Sequence, residues 1–333
     1  MTNALQTPEA VAKAYDRIKP YLHKTPLMQS NLLNKMLGCQ VYFKMDAVQK
    51  TGAFKIRGVL NHLLNLQEQS SMPKQIVAYS TGNHALAMAY AAQLFNIKAR
   101  VYLPKNVSPL KKDIAKSYGA EVIEVETRQE AEDAAKKDGA NNYHYLHPSD
   151  DDSTIAGAGT MCYEALIDMK TMDKAPDAIF GPCGGGGLLS GTYLAKELIS
   201  PASKLHGVEP EIADDAYRSL QDGRIFRFTE SPNTIADGLR ALSVSERTLN
   251  YLKKLDGFHV VDEESIGCWT SRLIQMTKLT CEPSAAISMA AVKKWIAKNP
   301  NKVVLVLITG GNVDPDFYQT LYPPVETAQE NNS

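Results

Sequence analysis

The chain has 333 residues, 44% of them hydrophobic and 22% charged, with a formal net charge of −1. That balance describes a soluble globular chain of one large or two moderate domains, able to bury about three quarters of its unfolded surface. No basic run exceeds a pair or so, which excludes the charged face of a nucleic-acid or anionic-membrane binder and leaves a small molecule as the expected partner.

Met1 to Lys13 has no apolar core flanked by positive charge, and no stretch approaches about eighteen apolar residues. Neither a signal peptide nor a spanning helix is therefore expected, and the cytoplasm is the default location. The cysteines, Cys39, Cys162, Cys183, Cys268 and Cys281, are scattered without a C-x-x-C pair. A disulfide framework and a structural zinc site are both disfavoured.

In chain order, Pro8 to Leu22 has the spacing of an amphipathic helix, and Val41 to Met45 reads as a strand. The strand runs into KMDAVQKTGAFKIRG, Lys44 to Gly58, which places Lys55 after a Gly-Ala-Phe turn and beside apolar Phe54. Desolvated there, a lysine loses part of its preference for the charged form, and its amine becomes a nucleophile toward a carbonyl. The same residues also suit a surface lysine opening a helix. Ile56, Val59, Leu60, Leu63 and Leu64 follow at helical spacing, so Lys55 lies at a helix start, where the dipole weakly favours the neutral amine.

Gln75 to Tyr79 reads as a strand, Asn83 to Phe95 as an Ala-rich helix, and Ala99 to Leu103 as a strand before Pro104. Val107 to Tyr118, Glu121 to Val125 and Arg128 to Lys137 continue as helix, strand and helix. The alternation goes on through Tyr143 to Leu146, a helix after Ile155, Ala178 to Phe180, a helix after Leu188, and Leu205 to Val208. Val303 to Thr309 is a continuous apolar run of the kind buried on both faces. Strands alternating with helices predict an α/β fold with parallel pairing and helices on both sheet faces. No internal repeat or low-complexity linker interrupts it.

The most explicit motif is Ala178-Ile179-Phe180-Gly181-Pro182-Cys183 running into Gly184, Gly185, Gly186 and Gly187 and then Leu188. A strand feeding a glycine loop that opens a helix turns backbone N–H groups and the positive end of a dipole toward one anion. Each charge-assisted hydrogen bond contributes about 1.5–3 kcal/mol, so three or four hold a phosphate without a lysine. The pattern is neither the dinucleotide G-x-G-x-x-G nor a Walker loop, and by itself it names no particular phosphate. Cys183, just before it, reads as a small residue packed under the loop rather than a nucleophile.

Lys55, the Ser80-Thr81-Gly82-Asn83-His84 stretch, the glycine loop and Thr309-Gly310-Gly311-Asn312 form an ordered set. In that order the chain resembles the pyridoxal-phosphate enzymes of the threonine dehydratase and serine racemase family, of the tryptophan-synthase-β-like fold type II. The resemblance runs from about Thr25 to about Asp314. It implies two open twisted, mostly parallel sheets with helices on both faces. A small inserted domain, residues 74–147, would lie within a large cofactor-binding domain, residues 1–73 and 148–333. A homodimer is also implied.

What the resemblance implies residue by residue is specific. Lys55, flanked by Phe54, would carry pyridoxal 5'-phosphate as a Schiff base and serve as the general base. Gly184 to Gly187 and Leu188 would hold its phosphate, and Asn83 its 3-hydroxyl. Thr309 would face the pyridine nitrogen. A neutral hydroxyl cannot stabilise a protonated ring as an aspartate would, so the ring is a weaker electron sink and expulsion of a β-substituent is favoured. Ser80, Thr81, Gly82 and His84 would hold an amino-acid substrate by its carboxylate; His84 alone would read as an ordinary structural histidine. The implied reaction is loss of water and then ammonia from a hydroxy-amino acid, most simply L-threonine or L-serine.

Departures from the family pattern qualify this. Racemases of the family have a serine, a second base, where this chain has Thr81, and many pure dehydratases have alanine. Threonine keeps the hydroxyl and adds a methyl, so elimination is expected with racemisation as a side activity. Leu86 and Ala158 replace common glutamines, and Ala241 a substrate-contacting serine, which argues against serine racemase itself; Leu86 also weakens a nucleotide effector site. Arg128 matches an arginine that guards the pocket and suits a second carboxylate, which admits a hydroxyaspartate substrate; a solvated helix arginine would look the same. Arg240 is open to the same two readings. Glu209, the carbonyl of Ala213, and Asp215 match a divalent-cation site, and oxygen ligands suit Mg²⁺, Mn²⁺ or Ca²⁺. An acidic helix N-terminus would look similar without metal. Glu282 matches another acid near the ring, of open role. A non-catalytic binder of some other phosphate is the alternative from a different class.

Overall fold

The computed structural model describes residues 5–80 and 82–321. Its strands, in chain order, are β1 (Leu27–Gln29), β2 (Gln40–Met45), β3 (Gln75–Tyr79), β4 (Lys98–Pro104), β5 (Glu121–Val125), β6 (His144–Tyr145), β7 (Ala178–Pro182), β8 (Lys204–Pro210), β9 (Gly257–Val261) and β10 (Val303–Ile308). They form two sheets, ordered β1-β2-β10-β7-β8-β9 and β5-β4-β3-β6. All pairings are parallel except β1 with β2. The expected α/β class with two mostly parallel sheets is what the chain adopts.

Side-chain alternation explains the layers. In β10, Val304, Val306 and Ile308 face one core with Phe43 and helix Pro283–Ile296, whereas Leu305 and Leu307 face another with Ile155 and Leu189. A strand buried on both faces needs apolar residues at every position, which is why VVLVLI shows no polar alternation. In the four-stranded sheet Ile76 and Ala78 pack toward helices Lys55–Glu68 and Asn83–Phe95, while Val77 and Tyr79 turn to Ala131 and Ala135 of helix Arg128–Asn141.

Local caps set several helix ends. The Asp151 side chain accepts from the Thr154 N–H, so the helix predicted after Ile155 begins at Asp152. Thr127 caps the helix at Arg128 through the Glu130 N–H. Between β8 and β10 the structure adds β9 and helices Asp215–Asp222, Glu246–Leu252, Glu263–Thr277 and Pro283–Ile296, none of which the pattern reading assigned. Helix Pro283–Ile296 is buried almost all round, so it has no polar face to give it a helical period.

Helix Lys55–Glu68, which opens on Lys55, is locked by charges with no access to water. Arg57 donates to both oxygens of Asp46, at 2.6 and 2.9 Å, and reaches Glu164 at 3.3 Å. Lys44 donates to Glu164 at 2.5 Å and to the Thr25 carbonyl at 2.7 Å. Two cations thus meet two carboxylates, and every member is buried. Removing one partner strands a buried charge, at a cost of about 3–5 kcal/mol. Arg57→Ala is accordingly expected to lower the unfolding free energy by about that much, read from a denaturant transition.

Candidate active site

Parallel strands of both sheets end at one cleft. Its volume is about 560 Å³, and its walls include Lys55, Ser80, Asn83, the glycine loop and Thr309. The size suits a cofactor with a small substrate.

Lys55 is the first residue of its helix, and its amine donates to the Pro148 carbonyl at 3.0 Å. The Nζ lies 5.1 Å from the centre of the Phe54 ring, and Lys55 makes no ion pair among the described residues. Burial, and secondarily the nearby Arg128 charge, bring its pKa down to about 8. A substantial fraction of the amine is therefore an unprotonated nucleophile near neutral pH.

β7 ends at Pro182, and the chain turns through Gly184–Gly187 into helix Gly187–Ile199. Gly186 has φ +81°, a conformation in which a side chain would be strained, and a Cβ there would meet Thr248 at 2.8 Å. A Cβ on Gly187 would sit 2.9 Å from Ser149, which lies against the loop. No side chain caps this helix, so its first N–H groups open into the cleft, as an anion requires. Cys183 is buried, and burial pushes its thiol well above the usual range; it is a packed residue, not a nucleophile.

Across the cleft, Thr309 is buried at the end of β10, and its carbonyl accepts the Phe54 N–H at 2.9 Å. This bond ties the turn before Lys55 to the central strand. Asn83 donates to Glu282 at 2.8 Å and accepts from Asn312 at 2.9 Å. Glu282 is fully enclosed, and burial raises its carboxyl to about 7 against the pull of Lys111. Ser80 Oγ accepts from the N–H groups of Gly82 and Ala85, at 2.9 and 3.1 Å, and so shapes the turn into helix Asn83–Phe95, whose N-cap residue, Gly82, has no side chain. Thr81 lies outside the described residues. His84 donates from Nε2 to the Leu146 carbonyl at 3.0 Å, and burial lowers it to about 3, so its ring is neutral; the buried Nδ1 has no partner among the described residues.

Arg128 lines the same cleft, its guanidinium 5.4 Å from the centre of the Tyr79 ring, and it forms no ion pair among the described residues. Glu132, one turn on, is already engaged by Lys136 at 2.6 Å and Arg227 at 3.4 Å. Arg240 is turned away onto the Thr234 carbonyl, at 2.6 and 2.9 Å, which accounts for it structurally.

Residues 18–310 match the family described as pyridoxal-phosphate dependent enzyme. The chain belongs to that family. A serine racemase of Dictyostelium discoideum is 36% identical over 317 residues, 93% of this chain and 96% of the relative. An L-threo-3-hydroxyaspartate ammonia-lyase of Saccharomyces cerevisiae is also 36% identical, covering 93% of this chain and 94% of its own. Among solved structures, a threonine deaminase from T.th. superposes with a TM-score of 0.86 at 41% identity, over 93% of this chain and 99% of that one.

The site fits the family's cofactor on its own chemistry. Uncapped N–H groups suit the phosphate, a buried amine of lowered pKa suits the aldehyde, and the Thr309 hydroxyl and Asn83 amide suit the ring's polar edge. Sequence reading missed Ser149, His62, Asp151 and Glu132, which line the cleft but carry no local motif. They arrive from separate stretches of chain, and only the fold collects them.

The expected metal ligands are also placed. Glu209 and Asp215 are both fully buried; Glu209 accepts from the Ala216 and Tyr217 N–H groups at 3.2 and 2.9 Å, while among the described residues no group stands within full hydrogen-bond geometry of either Asp215 oxygen. Burial raises Glu209 well above the carboxylate range and Asp215 to about 8. Two carboxylates enclosed in this way suit a cation, which would supply the missing charge. Ala213 is buried beside them in sequence. Among the described residues no cluster of three His, Cys, Asp or Glu side chains stands ready for a metal, so a cation here would depend on the two carboxylates and backbone oxygen.

Because only the neutral amine attacks an aldehyde, capture of pyridoxal phosphate is expected to speed up with rising pH and level off near about 8, well below a free lysine's ~10.4. Arg128→Gln removes a repelling charge and should move that midpoint upward, as stopped-flow absorbance at a series of pH values would record.

Proposed function

We propose that the protein is an ammonia-lyase that dehydrates a hydroxy-amino acid, L-threonine or L-serine first, releasing a 2-oxo acid and ammonia. The observation that carries this reading is a buried Lys55, its pKa lowered to about 8, in a cleft whose opposite wall offers Thr309. Pyridoxal phosphate held by Gly184–Leu188, Asn83 and Thr309 would supply an electron sink for the α-carbon. Lys55 takes the α-proton as general base, the β-hydroxyl leaves as water after protonation, and the freed enamine tautomerises and hydrolyses. The substrate carboxylate is assigned to the Ser80–His84 segment, supported by the positive end of helix Asn83–Phe95, whose N-cap residue Gly82 has no side chain. Neutral His84 adds no charge of its own there.

Arg128 favours one second reading. A cleft guanidinium without a carboxylate partner suits a substrate with a second carboxylate, and L-threo-3-hydroxyaspartate has one. Racemisation through Thr81 as a second base is kept as a side activity. Within the same proposal, residues 74–147 form a small domain between residues 1–73 and 148–333, and the protein is a homodimer. Glu209, Asp215 and the Ala213 carbonyl would hold Mg²⁺, Mn²⁺ or Ca²⁺ as a structural ion.

An absorbance scan from about 300 to 500 nm, followed by assay of 2-oxo acid and ammonia with L-threonine, L-serine and L-threo-3-hydroxyaspartate, tests the reading. The expected result is a visible cofactor band that Lys55→Ala abolishes, with oxo acid from L-threonine or L-serine. Turnover of hydroxyaspartate alone, lost in Arg128→Gln, would establish the second reading, and a loaded protein that forms no oxo acid from any of the three would refute both. For the cation, Mn²⁺ is expected to raise the melting temperature of the wild type and not of Asp215→Asn. An equal response from both would remove Asp215 as a ligand.

A further inference from the structure

From β6 to helix Asp152–Thr171 the chain forms an eight-residue strap, 144–151, whose first two residues are β6 itself and whose residues 147–151 line the cleft. The Leu146 carbonyl accepts from His84, the Pro148 carbonyl accepts from the Lys55 amine at 3.0 Å, and Ser149 lies against Gly185 and Gly187. His147 Nδ1 accepts the Ser149 and Asp150 N–H groups at 3.1 and 2.7 Å, which tightens the strap's middle.

One side chain holds both ends. His62, on the helix that Lys55 opens and two turns further along it, places Nδ1 2.8 Å from Asp151 and Nε2 2.7 Å from His144 Nε2. Residues seven apart lie on one helical face, so the lysine and its strap are referenced to the same surface. We propose that His62 is a positioning residue for Lys55: by holding His144 and Asp151, it sets the strap so that the Pro148 carbonyl receives the lysine amine. The proposal rests on Lys55 being the cofactor lysine.

The bond between the two rings constrains their protons. Asp151 takes the Nδ1–H of His62, which leaves His62 Nε2 facing His144 Nε2. A neutral pair satisfies the contact, with His144 donating; a pair with one added proton also does, with His62 donating. Two added protons put N–H against N–H, and the bond is lost. The charged groups acting on His144 are His62 and Asp151, and burial lowers its pKa below 6.5. A folded pKa that is depressed gives stability that is present above the unfolded value and lost as pH falls through the folded one. The clasp therefore holds at neutral pH, survives the first added proton, and opens only in acid strong enough to charge both rings.

Amide hydrogen exchange over residues 144–151, in protein with and without pyridoxal phosphate, tests this without turnover. Wild-type protection factors are expected to fall about tenfold, the weight of one hydrogen bond, between about pH 7 and an acid pH low enough to charge both rings. His62→Ala should lack this protection at both pH values, and because an opened strap lets water reach an amine whose pKa is lowered chiefly by burial, its midpoint for capturing pyridoxal phosphate should move above that of the wild type. His144→Gln, whose amide can still donate to His62, should keep the protection at both. A folded His62→Ala with wild-type exchange and midpoint overturns the proposal; should that variant not fold, a His144→Gln that retains the wild-type pH dependence does so instead. Failure to turn over any hydroxy-amino acid would refute the lyase reading while leaving both readouts intact.

Discussion

The structure is organised around a charge-neutral group of four buried ions. Arg57 and Lys44, with Asp46 and Glu164, join the first turn of helix Lys55–Glu68 to β2, to the segment after it, and to helix Asp152–Thr171. Such a group gives little net stability against an apolar replacement, because desolvation offsets most of the attraction. What it does supply is an exclusive arrangement, since any shift of the helix would leave a charge without its partner in a dry interior. Lys55 stands two positions before Arg57. The amine's location is thus set by the least slippery contact in the molecule.

Around that fixed point, parallel strands deliver loops to one place. β2 leads to Lys55, β3 to the Ser80–His84 turn, β7 to the glycine loop, and β10 to Thr309. In parallel sheets the ends of strands and the starts of helices gather on the same side, which puts unpaired N–H groups where an anionic ligand can use them. Two such helix starts, at Asn83 and Gly187, follow glycine N-caps that have no side chain to offer, though Ser80 Oγ already takes the Ala85 N–H of the first. The cleft offers helix starts to two anions and an amine of lowered pKa between them.

The balance of charges is what makes this cleft chemical rather than only adhesive. Burial lowers Lys55 toward neutrality and keeps His84 and His147 uncharged, while Glu282 is raised to about 7. All four shifts have the same leading cause, desolvation, and a dry site strengthens every remaining electrostatic interaction. Arg128 stands apart as a fixed charge over Tyr79. It acts on the amine and is available to a substrate.

Much of this was legible in the residues. Strand and helix order from β2 to β8, the strand β10 buried on both faces, Lys55 at a helix start and the phosphate-type glycine loop all follow from local periodicity and turn chemistry, which act over a few residues. Motif order then carried the family. Helix Pro283–Ile296 and the elements between β8 and it were not legible, because a helix enclosed on all sides has no polar face to reveal its period. His62 and Asp151 belong to no motif, so nothing in the pattern marked either. Only the tertiary structure could decide that these two, with His144, form a clasp over the lysine, that Arg128 faces the cleft while Arg240 does not, and that Asp215 is enclosed. The sequence by itself determined which chemistries the chain possesses; burial and contact between distant segments, which no local pattern encodes, decided which of them meet and in what protonation state.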